Sequence, residues 1–165
     1  SLVGSEMCIR DRGEYEGNTV ASNSCLEKMI VEYTGVEFLT EIREQLDRIL
    51  ASAFYGKYVG CLGVDMMIYE KESGGFGVQP CVEINLRYNM GIISIALQRY
   101  LRENSEGIFK IRFSPRPDEI LQSVEENKVT HPLITEGCLL ESGYINLTPV
   151  TRDSRFVAEL YIGKK

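Results

Sequence analysis

Gly63-Val64-Asp65-Met66-Met67-Ile68-Tyr69, then Ser73-Gly74-Gly75-Phe76-Gly77, then Val78-Gln79-Pro80-Cys81-Val82-Glu83-Ile84-Asn85-Leu86-Arg87 read as two apolar strands joined by a glycine-rich turn. Side chains along a strand alternate between its two faces. Val78, Pro80, Val82, Ile84 and Leu86 therefore share one face, and Glu83, Asn85 and Arg87 share the other. A chain that reverses symmetrically about Gly74 sets Asp65 opposite Glu83 and Gly63 opposite Asn85. Two carboxylates opposed on one sheet face repel and cost stability unless positive charge lies between them. A divalent cation would supply that charge.

Asp65, Glu83 and Asn85 offer hard oxygen donors, the ligand type magnesium prefers. Magnesium takes few protein ligands and completes its octahedron with water and substrate phosphates. Arg87, two residues further along, carries the planar fork that suits a phosphate oxygen. The plain alternative is a solvated outer face of ordinary polar residues. The apolar flanks Val64, Met66, Met67, Ile68, Val82 and Ile84 favour a partly buried polar site instead, and buried acids need partners.

With 165 residues, 44% of them apolar and 25% charged, the chain can build a core and stay dissolved. Its formal net charge of −6 argues against general binding to nucleic acid or to an anionic membrane surface. No apolar run approaches the roughly 20 residues of a membrane-spanning helix. Cys8, Cys25, Cys61, Cys81 and Cys138 are scattered with no CxxC pair, which predicts a reducing, cytoplasmic setting without disulfides or a zinc site.

The remaining pattern predicts a loop over Gly13–Asn23, rich in Gly, Asn, Ser and Thr, then a short helix capped by Ser24 with Leu26, Met29 and Ile30 on one face. Phe38, Leu39, Ile42, Leu46, Ile49, Leu50 and Ala53 recur at helical spacing. A second helix is expected from Asn89, its cap, to Glu103, burying Ile93, Ala96, Leu97, Tyr100 and Leu101. Beyond Asn104 the chain reads as strands, with a rigid turn at Ser114-Pro115-Arg116-Pro117 and one short helix over Asp118–Glu125. These strands are expected to continue the same α+β unit.

Other candidates are weaker. Ser73–Gly77 lacks the order of a phosphate loop and reads as a hairpin turn. His131, the only histidine, has no nearby Asp or Cys in sequence, and Met66, Met67 and Met90 read as core filler.

Gly63-Val64-Asp65-Met66-Met67-Ile68, Glu83-Ile84-Asn85-Leu86-Arg87 and Met90-Gly91 resemble the C-terminal lobe of ATP-grasp proteins. That superfamily includes D-alanine–D-alanine ligase, glutathione synthetase and biotin carboxylase. The resemblance runs from Tyr58 to about Gly91, extends back to Gly13 and gives out after about Asn104. It implies an α+β fold: an antiparallel sheet with the Phe38–Ala53 and Asn89–Glu103 helices packed on one face. It implies Mg2+ (or Mn2+) held by Asp65, Glu83 and Asn85, with ATP as cosubstrate on these residues and Arg87. Arg87 would be the catalytic cation, facing phosphate or the acyl intermediate. The implied reaction activates a small carboxylate as an acyl phosphate, which an amine or similar nucleophile then attacks. A non-catalytic nucleotide- or metabolite-binding module on the same fold is the alternative.

ATP-grasp enzymes also draw lysines and an adenine pocket from an earlier lobe. Residues 1–12 resemble a translated sequencing-library adapter, so the native chain is expected to begin upstream and to supply that missing N-terminal lobe. The present chain is then expected to be inactive alone, with residues 13–104 as the C-terminal part of the ATP-grasp domain and 105–165 as a β-rich extension.

Overall fold

A computed structural model describes residues 8–11, 14–116 and 118–164. In chain order these form β1 (Cys8–Asp11), β2 (Glu14–Val20), α1 (Asn23–Thr34), α2 (Val36–Phe54), β3 (Gly63–Glu70), β4 (Phe76–Asn85), α3 (Met90–Gln98), β5 (Ser105–Phe113), α4 (Glu119–Thr130), β6 (Ile134–Glu136), β7 (Leu139–Asn146) and β8 (Phe156–Lys164). The class is α+β in the general sense: helices beside sheets in which all the strand ladders are antiparallel. Among the described residues no helix is long and apolar enough to cross a membrane. The chain divides into two compact units, residues 23–93 and residues 8–22 with 94–164, the division falling within α3.

In the first unit, α2 forms where the apolar spacing predicts it. Leu39, Ile42, Leu46 and Leu50 are buried along one stripe, while Phe38 and Ile49 stay exposed, so the stripe is narrower than the periodicity suggests. Gly35, at φ 79°, separates α1 from α2 in a left-handed conformation that a side chain would resist. The guanidinium of Arg43 donates to Glu27 at 2.8 Å and ties the two helices together. Ile42, Leu46 and Leu50 pack with Phe54, Leu62, Val64 and Val78, which lays α2 across one face of the β3–β4 hairpin. Each such buried aliphatic side chain contributes roughly 1.5–3 kcal/mol. Gly74 and Gly75, at φ 83° and 77°, turn the hairpin, and the Gly74 N–H donates to the Lys71 carbonyl.

The second unit is a six-stranded sheet in the order β1-β2-β5-β8-β7-β6. Ile120 and Val124 of α4 pack with Tyr144 of β7 and Val157 of β8, with Val150 and Tyr161 at the edge of this cluster. The register pairs Phe109 with Leu160 and Gly107 with both Val20 and Ile162, so a second apolar set occupies the opposite sheet face. Val20, Phe109, Leu160 and Ile162 are all buried.

Five expectations change. Within the stretch read as a loop, residues 14–20 form β2, because pairing with β5 (Asn18 opposite Phe109) overrides a polar composition of low strand propensity. Cys8–Asp11, inside the stretch set aside as adapter-like, pairs with β2 as an edge strand. The helix from Asn89 stops at Gln98, and Leu101 makes an isolated bridge to Leu140; Ile93 is exposed while Ser94 is buried. The helix expected over Asp118–Glu125 continues to Thr130. Strands β5 to β8 pair with β2 and with one another, not with the β3–β4 hairpin.

Candidate functional site

The β3–β4 ladder sets Asp65 opposite Glu83 and Gly63 opposite Asn85. Nearer the turn the register slips: Met67 faces Gln79, so Pro80, Cys81 and Val82 oppose Met66 alone. Pro80 has no N–H to give the ladder, and an irregular stretch is where a strand accommodates that loss. The slip re-centres the turn and leaves the acidic pair aligned.

Val64 and Val78 lie against α2, so alternation turns Asp65, Glu83 and Asn85 to the hairpin's other face. Asp65 and Glu83 are exposed, as are Met66, Met67, Val82 and Ile84. The partly buried acidic site expected from the apolar flanks is thus corrected: a two-stranded ladder covered on one side leaves its outer carboxylates in water. Asn85 alone of the three is buried, at 8% exposure. Its Nδ2 donates to Asp65 Oδ2 at 3.3 Å, which turns the carbonyl Oδ1 away from that bond. A Cβ on Gly63 would run into the amide of Asn89, so this glycine permits a close approach at the mouth of the face.

Asn89 caps α3 as its position predicts, accepting the Ile92 N–H on Oδ1 at 3.0 Å. Arg87 departs from its expected placement. β4 ends at Asn85, so strand alternation no longer fixes where Arg87 points. Its side chain is exposed, and Nη1 donates to the Tyr88 carbonyl at 3.4 Å.

Among the described residues no group of three His, Cys, Asp or Glu side chains could hold a metal ion. The hairpin face carries two carboxylates and an amide instead. That donor set fits magnesium or manganese, which accept amide oxygen and leave the rest of the coordination shell to water and phosphate.

A second charged cluster has no counterpart among the sequence-level candidates. Glu159, in the middle of β8, is completely buried. Arg112 grips it with two bonds, Nε to Oε1 at 3.1 Å and Nη2 to Oε2 at 3.2 Å, and the Tyr144 hydroxyl donates to Oε2 at 2.9 Å. Lys110 Nζ lies 3.8 Å from Oε1 and 4.8 Å from the centre of the Tyr161 ring. Burial first, then the Glu159 bond, pushes the Tyr144 hydroxyl well above the ordinary tyrosine range, while the bond to Glu159 holds Arg112 more firmly protonated. The one available signal was a lone acid within the apolar run Val157-Ala158-Glu159-Leu160-Tyr161-Ile162.

No family model, curated protein or solved structure matches this chain.

Proposed function

We propose that the Asp65–Glu83–Asn85 face is the magnesium- or manganese-ATP site of an ATP-grasp-type ligase, the hairpin and α2 belonging to that family's C-terminal lobe. One observation carries the reading: the register that opposes Asp65 to Glu83 and brings Asn85 to Asp65. Opposed carboxylates in water are destabilising by themselves. A cation between them removes the repulsion, and the Asn85 carbonyl, not used in the bond to Asp65, adds a neutral oxygen donor.

Asp65, Glu83 and Asn85 would hold the metal, which when bound neutralises phosphate charge. Arg87, exposed just beyond the strand end, would reach a phosphoryl oxygen or the acyl phosphate, where charge neutralisation is the main catalytic lever. ATP and a small carboxylate would be the substrates, an amine or similar nucleophile the acceptor, and a preceding lobe of the same protein the source of adenine contacts. A cytoplasmic location suits ATP as cosubstrate.

The exposure of Asp65, Glu83 and Arg87 favours a second reading, a module that binds nucleotide without turning it over. Phosphoryl transfer gains from a site closed to water. Titration of the chain with ATP, with and without magnesium, tests the site. The expected result is magnesium-dependent affinity that drops about tenfold or more in Glu83→Gln, the scale of one lost charge-assisted contact. Unchanged affinity in that variant removes the metal assignment. ADP release by a version that includes the preceding lobe, supplied with candidate carboxylates and amines, separates ligase from binding module.

A further inference from the structure

We propose that Lys110 and Arg112, oriented by the buried Glu159, form a separate binding site for a compact oxyanion, the phosphate or carboxylate group of a small molecule. The two cations are two residues apart on β5 and so share one sheet face. Lys110 stands directly opposite Glu159, and Arg112 opposite Val157. Two positive charges therefore meet a single carboxylate.

Glu159 is an expensive way to fill the middle of a sheet. A buried ion pair is commonly no more stabilising than well-packed apolar residues of the same volume. What the carboxylate does provide is orientation. Its two bonds to Nε and Nη2 fix the guanidinium plane, leaving the Nη1 edge to face away from Glu159. Tyr144 steadies the carboxylate from the β7 side. The Lys110 ammonium, at 3.8 Å, is beyond hydrogen-bond distance of Glu159 and rests over the Tyr161 ring. Both cations keep about a third of the side chain or less in solvent, 31% for Lys110 and 27% for Arg112. Each is thus reachable from water yet held by the sheet. Glu119, which feels the Arg112 charge, is itself bonded by Ser114 and Arg116. An incoming oxyanion can accept from Arg112 Nη1 and Lys110 Nζ together, a charge-assisted pairing with two cations on one sheet face.

The test uses the full chain in EDTA, so that a divalent-metal site stays silent. Inorganic phosphate and acetate are each titrated against chloride at matched ionic strength, read by thermal unfolding and by the Arg112 Nε–H resonance. The expected result is stabilisation by phosphate or acetate beyond chloride, with saturable movement of that resonance. Lys110→Met should weaken the response about tenfold, whereas Lys128→Met, an equal loss of charge on α4, should leave it unchanged. Glu159→Gln, where it folds, should lose the response although both cations remain. No effect beyond chloride, or equal loss in Lys110→Met and Lys128→Met, overturns the proposal. A wild-type response that survives in folded Glu159→Gln overturns the orienting role of Glu159.

Discussion

Acidic side chains meet two opposite fates on the sheets of this chain. Glu159 sits in the middle of a six-stranded sheet, completely buried, and two side chains donate three hydrogen bonds to it. Asp65 and Glu83 sit on a two-stranded ladder covered by α2 on one face only, and both are exposed. The difference follows from solvation. A carboxylate taken out of water must have its partners built into the fold, because an unpaired buried charge is prohibitively costly. A pair left in water tolerates mutual repulsion of a few tenths of a kcal/mol, so its partner can come and go. The buried acid is thereby a fixed part of the structure, and the exposed pair is where the proposed cation would have to bind from solvent.

The largest expected effect breaks the buried side of this contrast. Glu159→Ala removes one partner of a buried ion pair and leaves Arg112 and Tyr144 with unmet donors. The expected loss is about 3 kcal/mol, at the lower end of the range for broken buried pairs, because the Arg112 and Lys110 heads keep some contact with water. Urea unfolding measures it. A change below about 0.5 kcal/mol, the scale of a neutral surface substitution, would mean the network contributes nothing to the fold.

Tyr144→Phe comes next. It keeps the ring against Ile120, Val124 and Val157 but deletes the hydroxyl bond to Glu159, a hydrogen bond to a charged group worth about 1.5–3 kcal/mol. It also alters the response to alkali. The folded state holds the Tyr144 proton more tightly than the unfolded chain, where the group titrates near pH 10.0. Its stabilising contribution is therefore complete below pH 10.0 and is lost as pH rises from there toward the higher folded value. The wild type should lose stability above that pH more steeply than Tyr144→Phe. Some slope should survive in the variant, because burial also raises Tyr161. Identical alkaline curves for the two proteins would show that Tyr144 does not carry this dependence.

How much of the molecule could be read from its sequence divides along the same line. The outer half of the hairpin was legible, Asp65 opposite Glu83 and Gly63 opposite Asn85, whereas the half nearer the turn was not: the irregular stretch at residues 80–82 shifts its register by two residues, so Met67 faces Gln79. Helix α2 was legible because its buried stripe repeats at helical spacing. What could not be read depends on distant partners. β2 is a strand because β5 pairs with it across the chain, and its Gly, Asn and Thr content gave no local sign of that. The exposure of Met66, Met67, Val82 and Ile84 was hidden for the same reason: apolar composition predicts burial only where a second layer arrives to cover it. Glu159 was passed over because nothing near it in sequence marks the Arg112 and Tyr144 that meet it.

The smallest expected effect sharpens the exposed side, and its sign matters more than its size. In EDTA, Glu83→Gln removes a like-charge pair on the ladder and should raise stability by roughly 0.2–1 kcal/mol. A bound cation adds stability that grows with its concentration, about 2.7 kcal/mol at a hundredfold excess over the dissociation constant. Under saturating magnesium the wild type should therefore overtake the variant, and the two melting temperatures should cross as magnesium is added. A solvated face with no ligand gives the first half of this result without the second: Gln is favoured slightly at every magnesium concentration and the curves stay parallel. Asp65→Asn should cross in the same way, since it removes the opposing carboxylate. Leu46→Ala, on the apolar α2 stripe, should lower both curves by about 2–5 kcal/mol without producing a crossing. The crossing therefore reports cation binding between Asp65 and Glu83 independently of any change in the core.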